Sequence, residues 1–406
     1  MLENVHPSAS EVLTGHDVEV RRLGQALAED ELIAALLDLP GDGPVVVGLR
    51  SKTHVTPRVL ERVPRLMAIG AFCIGTDQIA LAEARRSGVA VFNAPFSSTR
   101  SVAELVIAEV VMLSRQIFSR SKAAHEGRWA KSATGAHEVR GKTLGIVGYG
   151  HIGSQVSILA EALGMQVLFY DIDKKLPLGN ASAVGSLDDL LGRSDFVSLH
   201  VPDTELTRGM IGPVQLDTMR RGSYLLNLSR GKVVDIPALR DALVAGHLAG
   251  AAVDVYPREP ASTKDLFESE LRGLDDVILT PHIGGSTLEA QANIGHEVAT
   301  AVGRYLDRGT TLGCVTLPQL DLPASRPGQA SRIVNVHENV PGVLSAINRV
   351  VAESSVNIVG QALATVEDVG LLFIDVPLAW DDPRAEGLCQ AISGLDTSVR
   401  TRRLRL

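Results

Sequence analysis

Residues 142–171, KTLGIVGYGHIGSQVSILAEALGMQVLFYD, decide the fold. An apolar run over 144–147 meets Gly148, Gly150 and Gly153 in G-x-G-x-x-G spacing. A helical pattern follows through Ala162, then a second apolar run over 166–170 that ends in Asp171. The order predicts strand, glycine turn, helix and strand, half of a doubly wound α/β sheet. Gly148 can take the φ of a tight turn, Gly150 has no Cβ to hold a pyrophosphate off the backbone, and Gly153 lets helix and strand pack closely. Phosphates then meet free N–H groups at a helix N-terminus. Asp171 stands 18 residues beyond Gly153, where a carboxylate reaches ribose hydroxyls and repels a 2′-phosphate, so the cofactor read is NAD.

Beyond Asp171 the alternation continues with DFVSLHV (195–201), SYLLNLS (223–229), LAGAAVDV (248–255) and DVILT (276–280). Such unbroken apolar runs are strands buried on both faces. They end at His200 and Pro202, Ser229 and Arg230, Asp254 and His282, which should share the cofactor's cleft, because ligands bind at the carboxyl ends of strands. Upstream, PVVVGLR (44–50), LMAIGAF (66–72) and VAVFNAP (89–95) read as a smaller α/β unit. A helix over 100–116 leads out of it and one over 287–306 leads back. Residues 311–331, with Pro318, Pro323 and Pro327, read as a linker, and from 332 the order βαββαβ predicts a ferredoxin-like unit with a free sheet edge. The division expected is 1–96 with 287–310, 97–286, a linker over 311–330, and 331–406.

The chain has 406 residues, too many for one ordinary core. Its 45% hydrophobic and 21% charged residues suit a globular protein, and a net charge of −8 without a basic block argues against nucleic-acid and membrane surfaces. Cys73, Cys314 and Cys389 are too scattered for a disulfide framework or a metal site, so no metal is expected. The first residues show neither a basic start nor an apolar signal core, and the expected location is cytoplasmic.

Three strand-end residues suit hydride transfer. His282, in TPHIGG, can give or take a hydroxyl proton near neutral pH. Glu259, in YPREP, can pair with it and raise its pKa. Arg230, in LSRG, offers a planar fork for a carboxylate.

GYGHIGSQ, LSRG, AAVDVYPREP and TPHIGGST, in this order, resemble the D-isomer-specific 2-hydroxyacid dehydrogenases. GLRSKTH, IGAFCIGTD, VFNAPFSSTRSVAEL and VHENVPGVL extend the resemblance over nearly the whole chain, to the members that end in an ACT domain. It implies a doubly wound Rossmann NAD domain, a flavodoxin-like substrate domain and a ferredoxin-like ACT domain. The implied reaction is NAD-dependent oxidation of 3-phospho-D-glycerate to 3-phosphooxypyruvate, the first step of serine synthesis. Arg230, Glu259 and His282 are then catalytic. Besides Gly148, Gly150, Gly153 and Asp171, the cofactor site takes in His151, Ile152, His200, Pro202, Leu228, Ser229 and Arg230. Asp254, His282, Ile283, Gly284 and Gly285 complete it.

Arg50, Ser51, Lys52, Gly75, Asn93 and Lys131 are implied for the substrate, with Lys131 coming from a neighbouring subunit. His337, Asn339 and Asn357 are implied for feedback by L-serine bound between two tail domains of a homotetramer. Three departures stand out: Leu228 replaces a small residue, Lys52 replaces arginine, and almost nothing precedes residues 2–7 where a first strand is expected. That last departure predicts either an upstream start or a weakened first domain. Competing readings are a dehydrogenase for another 2-hydroxy acid, such as 2-hydroxyglutarate or glycerate, and an NAD-sensing partner-binding protein.

Overall fold

The computed structural model describes residues 1–16, 18–260, 265–323 and 330–406. They form two compact units, Met1–Ser97 with Gln291–Leu406, and Ser98–Ala290.

The first unit opens with a parallel three-stranded sheet in the order β1 (Val45–Leu49), β2 (Leu66–Ala71), β3 (Ala90–Phe92). All of β2 is buried, as its unbroken apolar sequence requires. Leu2 is buried and its N–H donates to Gly48 O at 2.8 Å, so the first residues run against the backbone of β1. The helix Pro57–Arg62 starts where Thr56 accepts from Val59 N–H, with proline in its first turn.

The second unit is a seven-stranded sheet in the order β10 (Val277–Leu279), β9 (Gly250–Val253), β8 (Tyr224–Asn227), β7 (Phe196–Leu199), β4 (Thr143–Val147), β5 (Gln166–Tyr170), β6 (Ser182–Ala183). All pairs are parallel. Strand order reverses between β4 and β7, and the glycine turn leaves β4 at that switch point. The helices Thr99–Ser114 and His151–Ala162 pack together and cover one face. Val102, Val106, Val110, Val156 and Ala160 meet Leu144, Ile146 and Leu226 there.

The tail, grouped with the first unit, holds the antiparallel sheet β12 (Gly360–Val366), β13 (Val369–Val376), β11 (Ser331–Glu338), β14 (Ser398–Arg405). With the helices Val343–Glu353 and Pro383–Ser393 this is the expected βαββαβ order, and β12 and β14 are its edges. The second strand begins at Gly360, whereas the apolar pattern of VNIVGQAL placed it from 356. Val356 buries its side chain while Asn357 stays exposed, and regular pairing with β13 starts only at Gly360.

Both faces of this sheet are covered. Ile333, Leu372 and Ile374 pack under the two tail helices, and Val334, Val336, Leu371 and Phe373 join Phe92, Val302 and Tyr305. Arg332 and Asp375, both fully buried, pair at 2.7 Å, and Arg332 also donates to Arg308 O, the last residue of the helix Leu288–Arg308.

The proline-rich stretch expected as a linker is packed over residues 311–322. Cys314 bridges Phe92, and Thr311 Oγ1 donates to Pro318 O while accepting from Leu320 N–H. Prolines erase a helical or strand pattern, but threonine hydroxyls satisfy the backbone instead. Pro327 lies outside the described residues.

Candidate active site

The site grows from the ends of parallel strands. At the end of β4, Gly148 has φ +91°, and a Cβ there would lie 2.3 Å from His200 O. A Cβ on Gly153 would meet Gly148 O at 2.2 Å, so helix and turn need two bare positions. A Cβ on Gly150 meets nothing within 4 Å, so the middle glycine faces open space at the N-terminus of the helix His151–Ala162. That exposed backbone, with His151 and Ile152 in the helix's first turn, fits a dinucleotide phosphate. Asp171, after β5, accepts from Tyr149 N–H at 2.7 Å and is thereby fixed to the same turn.

His200 follows β7 with Nε2 2.9 Å from Ser198 Oγ. Burial pushes its pKa down to about 4, so the ring is neutral. Pro202 follows it and its carbonyl accepts from Thr207 Oγ1.

Asn227 ends β8 and is fully buried. Its Oδ1 accepts from Ser229 N–H and Oγ–H at 3.2 and 2.9 Å, and its Nδ2 donates to Arg230 O at 3.0 Å. The turn carrying Arg230 is thus held by one side chain. A Cβ on Gly231 would come within 2.0 Å of Tyr256 C, so this turn lies directly on the backbone leading to Glu259. Leu228 is buried in the core against the two helices, so its bulk faces away from the strand-end groups.

Tyr256 ties two strands together. Its hydroxyl lies 2.8 Å from Val253 O at the end of β9 and 2.9 Å from Thr280 O just past β10. Its N–H donates to Glu259 Oε1. His282 Nδ1 sits 3.0 and 2.9 Å from the two Glu259 oxygens. The imidazole therefore donates its Nδ1 proton to a carboxylate and leaves Nε2 for chemistry. The Glu259 hydrogen bond raises the His282 pKa above the ordinary histidine value, against burial and the charge of Arg230. Burial favours a neutral Glu259 carboxyl, but His282, the Tyr256 N–H and Arg230 outweigh it and hold its pKa below the usual range.

His282 has φ +54°, a left-handed conformation uncommon outside glycine. The next amides explain how it is held: Ile283 N–H and Gly284 N–H donate to the two Asp254 oxygens at 2.8 and 2.9 Å, and Thr280 Oγ1 donates to the same carboxylate. Gly285 then passes close to Ser98 Cβ. Among the described residues no cluster of His, Cys, Asp or Glu is placed to hold a metal.

Residues 107–284 match the D-isomer specific 2-hydroxyacid dehydrogenase NAD-binding domain, and residues 333–399 an AHAS small subunit-like ACT domain. A D-3-phosphoglycerate dehydrogenase from Dictyostelium discoideum is 48% identical over 99% of this chain and 96% of its own length. The enzyme of that name from Escherichia coli K12 is 49% identical over the full chain and 96% of its own length. The chain belongs to the D-3-phosphoglycerate dehydrogenase family.

It is an NAD-dependent oxidoreductase. A D-lactate dehydrogenase from Aquifex aeolicus, solved with NAD and lactic acid, has the same fold with a TM-score of 0.65. It is 31% identical and covers 75% of this chain and 92% of its own length.

The remaining positions expected in a D-3-phosphoglycerate dehydrogenase fall in three places. Arg50, Ser51 and Lys52 follow β1 in the first unit, where Glu3 accepts from the N–H groups of Lys52 and Thr53 at 3.1 and 2.8 Å. Asn93 donates to Ile74 O beside Gly75. Lys131 lies in the second unit on an exposed arm whose carbonyls at Ala130, Ser132 and Thr134 are gathered by Arg120.

In the tail, His337 is buried over Gly370, its Nδ1 donating to Glu338 O at 2.8 Å. Asn339 donates through N–H and Nδ2 to the carbonyls of Asp368 and Glu367. The exposed Asn357 precedes β12 at the opposite end of the sheet, so one chain does not bring the three together.

Glu3, Glu109, Asn227 and Tyr256 were not singled out from sequence. Only Asn227, at the end of an apolar run just before LSRG, carried a local signal.

Proposed function

We propose that this chain oxidises 3-phospho-D-glycerate to 3-phosphooxypyruvate in the cytoplasm, opening the route to L-serine. The observation that carries the reading is the His282 Nδ1–Glu259 pair beside the Asn227-held turn of Arg230. Bound NAD supplies the acceptor for the hydride that leaves C2 of the substrate. Nε2 of His282 takes the C2 hydroxyl proton, and Glu259 stabilises the imidazolium that results. Arg230 receives the substrate carboxylate in its guanidinium fork. For the same substrate, Gly75 and Asn93 are the proposed partners of the carboxylate, and Arg50, Ser51, Lys52 and, from a neighbouring subunit, Lys131 those of the phosphate.

For the cofactor, Gly148, Gly150 and Gly153 take the pyrophosphate with His151 and Ile152, and Asp171 takes the ribose. The neutral His200 and Pro202 flank the cofactor, with Leu228 and Ser229 lining it through their backbone. Asp254 and the Ile283, Gly284 and Gly285 turn border the nicotinamide, because the ring must lie beside His282.

L-serine acts as effector through His337, Asn339 and Asn357 in a homotetramer. An antiparallel partner along the edge strand β12 exchanges the two ends of the sheet. It would set Asn357 of one subunit near His337 and Asn339 of the next.

The test compares kcat/KM for 3-phosphohydroxypyruvate and for unphosphorylated hydroxypyruvate in an NADH assay, with and without L-serine. A preference of at least tenfold for the phosphorylated substrate is expected, since the proposed cations pair with its phosphate. Equal values would sink the phosphate site, and no response to L-serine would remove the effector role.

A further inference from the structure

The helix Thr99–Ser114 carries an acid in the wrong place for an ordinary core. Glu109 is 1% exposed, among Val106, Val110 and Leu113 on the face packed against β8, β9 and β10. Neither carboxyl oxygen has a hydrogen-bond partner among the described residues. A buried carboxylate with no donor is strongly disfavoured, so the group is held as the neutral acid. Burial first, and then the negative charge of Asp254, push its pKa up to about 8.

The neighbours define what that acid faces. From β9 the chain passes into Asp254 and Tyr256, and Tyr256 responds to Glu109 in turn. The other titratable groups on elements packed against this helix are Tyr224 on β8, Asp276 before β10, and His151 and Glu161 on the helix His151–Ala162. The helix Ile117–His125 adds Arg120, Lys122 and His125. On its own helix Arg100 pairs with Glu104, and Arg115 caps the end. Among the described residues, Asp254 is the one whose charge bears on Glu109. Asp254 is itself 1% exposed and is spent on the amides that follow His282, which puts it at the nicotinamide end of the proposed cofactor site.

We propose that Glu109 is a positioning residue that sets the charge behind the nicotinamide end of the pocket, and with it the relative affinity for oxidised and reduced cofactor. The inference rests on the dehydrogenase reading above. The oxidised ring is positive and the reduced ring neutral, so one more negative charge behind Asp254 favours NAD⁺ over NADH. While Glu109 holds its proton the bias comes from Asp254 alone. When the proton leaves to solvent in mildly alkaline solution, the bias grows.

The experiment measures Kd for NAD⁺ and for NADH by titration calorimetry at pH 7 and pH 9. Four proteins are compared: wild type, E109Q, H282N and H282N/E109Q. Glutamine keeps the shape of the neutral acid, and H282N removes the titration of the imidazole. In the wild-type and H282N proteins the ratio Kd(NADH)/Kd(NAD⁺) should rise on the order of tenfold between the two pH values. In H282N/E109Q it should stay flat, and in E109Q only the part of the rise that His282 supplies should remain.

An equal rise with and without Glu109 would overturn the proposal and leave the dehydrogenase reading intact, whereas failure of both nucleotides to bind at either pH would overturn the two together. Infrared spectroscopy gives an independent arm. A carboxylic-acid C=O band present at pH 7 should fade by pH 9, and its absence at pH 7 would end the argument even if E109Q did not fold.

Discussion

Two acid–base pairs, one in each unit, use the same chemistry to opposite ends. His282 and Glu259 meet at 2.9 Å with side chains 49% and 37% exposed, while Arg332 and Asp375 meet at 2.7 Å with side chains 1% and 0% exposed. The first pair leaves one imidazole nitrogen uncommitted and can exchange a proton. The second makes four hydrogen bonds from Arg332, to Asp375, Arg308 O and Leu322 O, and is sealed from the water with which it would exchange a proton. Solvent access separates a working pair from a clamp. Glu109 is the third case, an acid buried like Asp375 but without a hydrogen-bond partner among the described residues.

Breaking the comparison at its reactive end should have the largest effect. His282→Asn keeps size and polarity but removes the shuttle, and kcat should fall roughly 10²–10⁴-fold with the thermal unfolding midpoint unchanged. A variant retaining a tenth or more of the activity would contradict the assignment.

At the sealed end, Asp375→Ala leaves the Arg332 charge buried without its partner and should cost about 3–5 kcal/mol in urea unfolding. Replacing both residues by apolar ones of similar volume should cost far less, because it is the uncompensated charge that destabilises. Equal losses from the two variants would mean that packing, not charge, sets the penalty.

The unpartnered acid sharpens the contrast through pH. Folding raises the Glu109 pKa from 4.5 to about 8, so the folded state binds the proton more tightly. Relative to a chain lacking this acid, stability is lost as pH climbs from the unfolded value to the folded one, and the loss levels off above it. E109Q should therefore unfold like wild type near pH 4, and be more stable by roughly a few kcal/mol at pH 9. A difference independent of pH would count against a buried titrating acid.

The smallest effect is expected at Glu259. It raises the His282 pKa, and oxidation needs the neutral imidazole. E259Q should move the acid limb of the kcat/KM profile for oxidation to lower pH, and the alkaline limb for reduction in the same direction. A loss of about tenfold in kcat should accompany the shift. An unmoved limb would separate Glu259 from the histidine's titration.

Periodicity and local chemistry, both written along the chain, were enough for the parallel sheet, its glycine turn, the strand-end residues and the βαββαβ tail. Buried strands must be apolar on both faces, and a tight turn over phosphate needs glycine. The positions of Arg230 and His282 were legible for the same reason, since each closely follows a strand whose end was marked, while Glu259 lies further past β9 and was marked only by the YPREP stretch.

Tertiary packing alone decided the rest. Asn227 holds the Arg230 turn through partners that exist only once the chain folds back at the end of β8. Tyr256 matters because β9 and β10 are neighbours, a pairing no local pattern records. Glu109 reads in sequence as one more helical acid. Its burial beside Asp254 joins residues far apart in the chain, and the charge one feels from the other depends on that distance and on the water excluded between them.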